Sequence, residues 1–208
     1  MKSATHTVIK RCPWPGIADP EYQRYHDEEW GVPLTGEQQL FEKIALEGFQ
    51  AGLSWLTILR KRENFRRAFD GFNPERIARY GPRDVARLMK DAGIVRNRAK
   101  LEATIDNAKA YARLAERTTL HDFLWGFFDD GPLRNRHRTM ADVPAATALS
   151  QRISKALKDQ GFRFVGPTTV YAFMQSAGMV NDHLVGCHRH ARCAELQRAL
   201  APRTRVRS

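Results

Sequence analysis

The run Thr35-Gly36-Glu37-Gln38-Gln39-Leu40-Phe41-Glu42-Lys43-Ile44-Ala45-Leu46-Glu47-Gly48-Phe49-Gln50-Ala51-Gly52-Leu53-Ser54-Trp55 holds a helix start, an apolar face, a break and a second start. Thr35 and Gln38 have the spacing of a capping box, in which the hydroxyl and the amide serve unpaired backbone donors. Leu40, Phe41, Ile44 and Ala45 follow on one face, and Gly48 and Gly52 interrupt the run. Ser54 is placed to cap a second helix, where Trp55, Ile58, Leu59, Arg62, Phe65 and Phe69 recur at three- and four-residue spacing.

The same grammar continues outward. Asn73-Pro74 is a cap followed by a helix-starting proline. Short helices are expected over 82–90 and 98–114, on either side of Gly93. Phe123, Leu124, Phe127 and Phe128 mark another. Ile153, Ala156 and Leu157 lie on a helix that Gly161 ends; Val170, Tyr171, Phe173 and Met174 lie on one that stops near Gly178. Sustained period-2 alternation is scarce and no internal repeat occurs, so the expected class is all-α with many short helices and turns.

The chain has 208 residues, 42% hydrophobic and 27% charged, enough for one buried core or two tightly joined subdomains flanking a cleft. Residues 1–10 read as a flexible tail, 11–196 as the helical domain, and 197–208, with four arginines around Pro202, as a basic flexible tail. The formal charge is +11, a field that attracts polyanions, of which nucleic acid is the commonest. Three cysteines argue against a disulfide framework. Residues 1–11 lack a signal-peptide pattern, and no run of about 18 apolar residues occurs. The expected compartment is the cytoplasm.

Three constellations carry chemistry. His183-Leu184-Val185-Gly186-Cys187 sets His and Cys four apart, a spacing that lets both face one ion; Cys12 and His26 are candidates for the other half, and zinc suits the mixed donor set. His188, His190 and Cys193 crowd the same end, so spacing alone does not choose the four. A closed four-ligand site leaves no position for water and is structural. The second is the hairpin Asp91-Ala92-Gly93-Ile94-Val95-Arg96-Asn97-Arg98-Ala99-Lys100 between two short helices. There exposed amides and a helix start can dock a DNA phosphate, with Arg96, Arg98 and Lys100 alongside.

The third is Glu47, at the end of an apolar helix, near the aromatics Tyr22, Tyr25, Trp30 and Trp55. An unpaired buried carboxylate is costly, and a cationic ring would offset that cost. Enzymes acting on a base rotate it out of the duplex into a pocket that stacks and hydrogen-bonds it, and electron-rich rings favour a cation. An alkylated purine is such a cation, and its glycosidic bond is already weak because the base departs neutral.

At these residues the chain resembles the DNA-3-methyladenine glycosylase I family, the constitutive bacterial type in the helix–hairpin–helix superfamily. The likeness runs from about Arg11 to Cys187. It is carried by Tyr25-His26-Asp27-Glu28-Glu29-Trp30-Gly31-Val32-Pro33, Leu46-Glu47-Gly48, Ala51-Gly52-Leu53-Ser54-Trp55, Lys61-Arg62-Glu63-Asn64-Phe65, Asp91-Ala92-Gly93-Ile94, Phe164-Val165-Gly166 and Asn181-Asp182-His183.

The resemblance implies a compact helix–hairpin–helix glycosylase fold with one zinc ion on Cys12, His26, His183 and Cys187, joining the N- and C-terminal regions. It implies that Glu47 binds the edge of a methylated adenine and is the catalytic group, with Tyr25 and Trp55 enclosing the ring and Tyr22 and Trp30 completing the wall. Gly52 and Leu53 match the segment that probes the gap left by the flipped nucleotide, and Gly93 and Ile94 the hairpin that holds phosphate. The implied activity is monofunctional release of 3-methyladenine from double-stranded DNA by a monomer, leaving an abasic site. Competing readings are a noncatalytic zinc-containing DNA-binding module and a glycosylase for another alkylated purine such as 7-methylguanine. Asp106 and Asp182 are the nearby carboxylates; neither is assigned as general base.

Overall fold

Between Leu40 and Phe49 only Glu42 is not buried, so the helix that carries Glu47, α2 (Glu37–Gln50), is enclosed on nearly every side. A helix apolar almost all round has to be the centre of its domain. In the computed structural model, which describes residues 9–200, this is what α2 is: it packs against α3 (Trp55–Ala68), α6 (Arg98–Ala115), α7 (Leu120–Trp125) and α9 (Pro167–Ser176). Around them lie α1 (Pro20–Glu28), α4 (Pro74–Ile77), α5 (Pro82–Lys90), α8 (Ala148–Asp159) and α10 (His188–Arg198). The structure is mostly helical.

Local chemistry sets the boundaries. Ser54 Oγ accepts the Thr57 N–H, Asn73 caps α4 ahead of Pro74, Asn97 caps α6 and Thr147 caps α8. The expected capping box at Thr35 does not form. Gly36 is the N-cap of α2 with no side-chain cap bond, and the Gln38 amide donates instead to the Gly71 carbonyl. Glu37 also turns outward: its carboxylate accepts the N–H groups of Leu120 and His121, neutralising the start of α7. Helix α7 ends at Trp125, so Phe127 and Phe128 belong to the following turn.

Two features lay beyond the helical pattern. β1 (Leu133–Arg134) and β2 (Val180–Asn181) form a parallel two-residue ribbon, pairing Leu133 with Val180 and Arg134 with Asn181. Two residues are too few to show a period. Helix α10 runs to Arg198 with Gln197 buried, its amide donating to the Gly178 carbonyl at 2.9 Å; ordered helix thus extends two residues into the stretch expected as tail. The expected tails otherwise fall largely outside the described residues.

The segment after α1 is clamped against the end of α9. Gly31 N–H donates to Gln175 O and Leu34 N–H to Ala177 O. Gly178, at φ +66°, lies so close that a Cβ would come within 2.3 Å of Pro33 N, so only glycine fits. This clamp brings Trp30 beside α9 and closes one side of the site. Among the described residues no helix is long and apolar enough to cross a membrane.

Candidate base-binding site and metal cluster

A cavity of about 330 Å³ opens where α1, α2, α3 and α9 converge. Tyr22 and Tyr25 reach it from α1, three residues apart and hence on one face, and Trp30 from the clamp that follows. Glu47 and Gln50 come from the end of α2 and Trp55 from the first position of α3. All five residues expected to bind the base therefore line one cavity. The sequence reading missed Trp14, Thr168, Tyr171 and Gln175, which also line it. The last three share a face of α9 at helical spacing, a signal legible in the sequence, where Tyr171 reads only as a residue of that helix.

Glu47 is 3% exposed. Burial pushes its carboxyl up to about 7, while the Lys43 charge and a hydrogen bond from Ser176 pull it back. It thus titrates in the working range of a cell, the usual condition of a carboxylate in a functional pocket. Burial, then the nearby Glu47 charge, lifts Tyr22 to about 12 and Tyr25 well above its ordinary value, so both remain neutral phenols with electron-rich faces. Tyr25 and Trp55 meet with centroids 5.3 Å apart at 44°; Tyr22 stacks near Tyr25 at 6.3 Å, and Trp14 meets Trp30 edge-on at 4.7 Å. Two buried donors beside this cavity, Trp55 Nε1 and Lys43 Nζ, have no hydrogen-bond partner among the described residues, a costly condition.

The two carboxylates left open by the sequence both lie off the cavity. Asp106 pairs with Arg163 at 2.6 Å on an exposed face. Asp182 is buried and accepts three hydrogen bonds, from Asn135 Nδ2 at Oδ1 and from Tyr171 OH and Gln175 Nε2 at Oδ2, with His137 3.3 Å away. Its bonds to Tyr171 and Gln175 hold two cavity residues in place.

Behind the aromatic wall, Cys12, His26, His183 and Cys187 are buried, with their ligand atoms all within 4.8 Å of one another. Cys187 Sγ is 3.5 Å from both His26 Nε2 and His183 Nδ1, and Cys12 Sγ is 3.7 Å from His183 Nδ1. The opposite ring nitrogens are held as well, His26 Nδ1 by Asp27 at 2.7 Å and His183 Nε2 by the Trp30 carbonyl at 2.9 Å. Such partners fix tautomer and orientation so that the remaining nitrogens face inward. The alternatives fall away: His188 faces Asp27, His190 meets the Asn135 carbonyl, and Cys193 lies against the Trp30 carbonyl. The cluster joins the two chain ends and backs the cavity, with Trp14 4.8 Å from the His26 ring and Trp30 4.6 Å from that of His183.

The residues expected to meet DNA diverge. Leu53 is exposed at a turn where Gly52, at φ +81°, has nothing within 4 Å of its Cβ position. Arg96 and Arg98 are exposed. Lys100 is buried, and its ammonium donates to the Phe49 and Ala51 carbonyls at 2.8 and 2.6 Å. It anchors the turn that carries Leu53 and is not an open charge for phosphate. At the hairpin, the Gly93 N–H is engaged by the Asp91 carboxylate at 2.7 Å and the Ile94 side chain is buried. Lys61 and Asn64 of α3 donate to the Gly93 carbonyl at 3.2 Å each, fixing the loop on that helix.

The family model described as methyladenine glycosylase matches residues 14–190. The chain is 49% identical over 180 residues to DNA-3-methyladenine glycosylase 1 of Escherichia coli (86% of this chain, 96% of the relative). It is 49% identical over 181 residues to DNA-3-methyladenine glycosylase of Haemophilus influenzae (86% and 97%). A crystal structure of 3-methyladenine DNA glycosylase I superposes with TM-score 0.85 at 47% identity, covering 87% of this chain and 100% of that one. A structure addressing 3-methyladenine recognition by the Staphylococcus aureus enzyme gives 0.80 at 39%, covering 83% and 92%.

Proposed function

The chain belongs to the methyladenine glycosylase family, and from that premise we propose that it hydrolyses the N-glycosidic bond of 3-methyladenine in double-stranded DNA, releasing the base and leaving an abasic site. The observation that carries the proposal is the burial of Glu47 inside a cavity walled by Tyr22, Tyr25, Trp30 and Trp55. A flipped 3-methyladenine nucleotide is a cation. Inside the cavity it meets a carboxylate and the negative faces of neutral aromatic rings, whereas an unmodified adenine brings no charge and leaves Glu47 desolvated and unpaired.

The C1′–N9 bond breaks with its electron pair passing to the purine, which leaves neutral, and the deoxyribosyl cation takes the oxygen of a water that gives up a proton. Glu47 is the group that touches the base; its negative charge and hydrogen bonds hold the cationic ring in the cavity. Among the described residues, Glu47 is the one carboxylate lining the cavity, which fits a leaving group needing little assistance. Lys43 packs against the Tyr25 ring and is not in the cavity lining, and no lysine lines the cavity among the described residues, in keeping with a monofunctional enzyme without a Schiff-base amine.

Zinc fits the four-residue cluster. Tetrahedral bonds of about 2.3 Å to sulfur and about 2.05 Å to nitrogen separate S and N by about 3.6 Å, against 3.5–3.7 Å here. Cys12, His26, His183 and Cys187 would hold it, and its contribution is structural: it would tie residues 11–31 to 183–193 and brace Trp14 and Trp30. Leu53 on its Lys100-anchored turn would enter the gap left by the flipped nucleotide. Arg96 and Arg98 beside the Gly93 hairpin would follow the phosphates. One subunit supplies every part, so a monomer suffices, working in the reducing cytoplasm, where none of the three cysteines is drawn into a disulfide.

The test is the profile of bases released from methylated DNA by the purified protein. Release of 3-methyladenine with 7-methylguanine left in place is expected. Release of 7-methylguanine alone, or binding of abasic DNA with no base released, would overturn the assignment.

A further inference from the structure

Lys43 lies one helical turn before Glu47 on α2 and is buried, yet its ammonium has no hydrogen-bond acceptor among the described residues. It sits instead over two rings of the cavity wall, 4.8 Å from the Tyr25 centroid and 5.4 Å from that of Trp55. A cation held by two aromatic faces and no acceptor is an unusual thing to bury. Both rings also line the cavity, and Lys43 and Glu47 are both buried, so the ammonium lies within the same low-dielectric zone as the carboxylate.

The charged groups around Glu47 leave few other sources of positive charge. From α3, Arg62 is locked to Glu29 by bonds of 2.5 and 2.9 Å, and Arg66 to Glu42 at 2.8 Å. From α6, Lys100 is held by the Phe49 and Ala51 carbonyls. From α1 come Tyr22 and Tyr25, both neutral, with Glu29 just beyond. From α9 come Tyr171 and Gln175, both tied to Asp182. Among the described residues, Lys43 is the cation that has no hydrogen-bond acceptor of its own and whose charge acts on Glu47. An isolated buried carboxyl takes up a proton when no positive charge faces it, and a protonated Glu47 has nothing to offer a cationic base.

Resting on the Glu47 pocket proposed above, we propose that Lys43 is a positioning residue for charge: packed over Tyr25 and Trp55, it raises the ionised share of Glu47 while the pocket is empty, so that more of the carboxylate is ready when an alkylated base arrives. The attraction is mutual. Burial lowers the Lys43 ammonium from its ordinary range, and the Glu47 charge, then that of Glu29, draws it back. Lys43 and Glu47 lie one turn apart on α2 and form no ion pair within 4 Å, so Lys43 acts on Glu47 through space and leaves the carboxylate free for the base.

The test is the pH dependence of kcat/KM for 3-methyladenine release from methylated DNA, whose lesion carries a fixed charge. The wild-type protein should lose activity below about pH 7 as Glu47 protonates. In Lys43→Met this acid limb should move up by about one unit, making release roughly fivefold to tenfold slower than wild type at pH 6.5 yet within about twofold at pH 8.5. Lys43→Arg should restore the limb. Lys43→Gln, which keeps a polar end, should move it as Met does, and ¹³C titration of the Glu47 carboxyl in the free variants should follow the same order. A Lys43→Met profile that superimposes on wild type, or that falls by one factor at every pH, overturns the inference. Loss of release in Glu47→Gln with no shift in Lys43→Met overturns it alone; parent-rate release by Glu47→Gln removes the pocket reading on which it stands.

Discussion

Tyr25 and Trp55 meet at 44° with their centroids 5.3 Å apart, so the two rings form a corner and not a parallel slot. A base sandwiched between parallel rings needs about 7 Å, twice a stacking distance. In the proposed complex the base would stack against one face of this corner, with Tyr22 and Trp30 on the remaining sides. Replacing Trp55 by Ala should lower kcat/KM for base release by about tenfold to a hundredfold, the worth of about 1–3 kcal/mol of stacking. Trp55→Phe should recover most of it, because a ring face remains. Steady-state release from methylated DNA measures both.

Glu47 should also shape stability. Its folded value, about 7, lies above that of an unfolded glutamate. The stability it contributes is therefore fully present below about pH 4.5 and lost as pH rises through about 7. Between pH 5 and 8 the wild-type protein should lose about 2–3 kcal/mol through this group in urea denaturation. Glu47→Gln should lack that part of the slope. Equal slopes in the two proteins would show that the carboxyl is not desolvated.

Removing metal should act on stability before chemistry. Chelation, or Cys12→Ser, is expected to lower Tm by ten degrees or more, since the cluster holds segments 171 residues apart. Trp14 and Trp30 contact the two histidine rings, so tryptophan fluorescence should change in step with metal loss. Metal analysis should return one zinc per chain. A metal-free preparation with unchanged Tm would remove the cluster from the account.

The arginines of the hairpin are exposed, and Lys100 is not available. Arg96→Ala with Arg98→Ala should weaken binding to undamaged duplex and reduce the slope of log K against log salt by about 1–2. Arg98 lies 3.4 Å from Glu102, so its share should be the smaller. Lys100→Met should instead loosen the Gly52–Leu53 turn, lowering release from DNA while leaving the salt slope unchanged. Leu53→Ala should likewise slow release from duplex more than from single strands.

Much of this was legible in residue spacing, because the fold is built from short helices whose caps and breaks are local. Ser54, Asn73-Pro74, Gly161 and Gly178 each marked an end by chemistry acting within a turn. The failures were long-range. Gln38 abandoned a local cap for the carbonyl of Gly71, and Glu37 left its own helix to cap α7, choices that depend on packing partners more than 30 residues away. Lys100 read as a surface charge because the carbonyls of Phe49 and Ala51 that bury it belong to another helix. Spacing could not choose among His183, His188, His190, Cys187 and Cys193 either; resemblance named the four, and the folded chain brings together those same four. Lys43 stood in plain view four residues before Glu47, but nothing in a helical period reveals that both faces of α2 are buried.

The most direct measurement is the release of 3-methyladenine from methylated DNA by Glu47→Gln beside the wild-type protein, at pH 8 where the native carboxyl is ionised. Exchanging the charge for a neutral amide of the same shape should reduce kcat/KM by about a hundredfold to a thousandfold, the cost of about 3–4 kcal/mol of electrostatic stabilisation. Folding and metal content should remain unaffected. Release at the wild-type rate would contradict the account, since the buried negative charge would then have no part in choosing a cationic base.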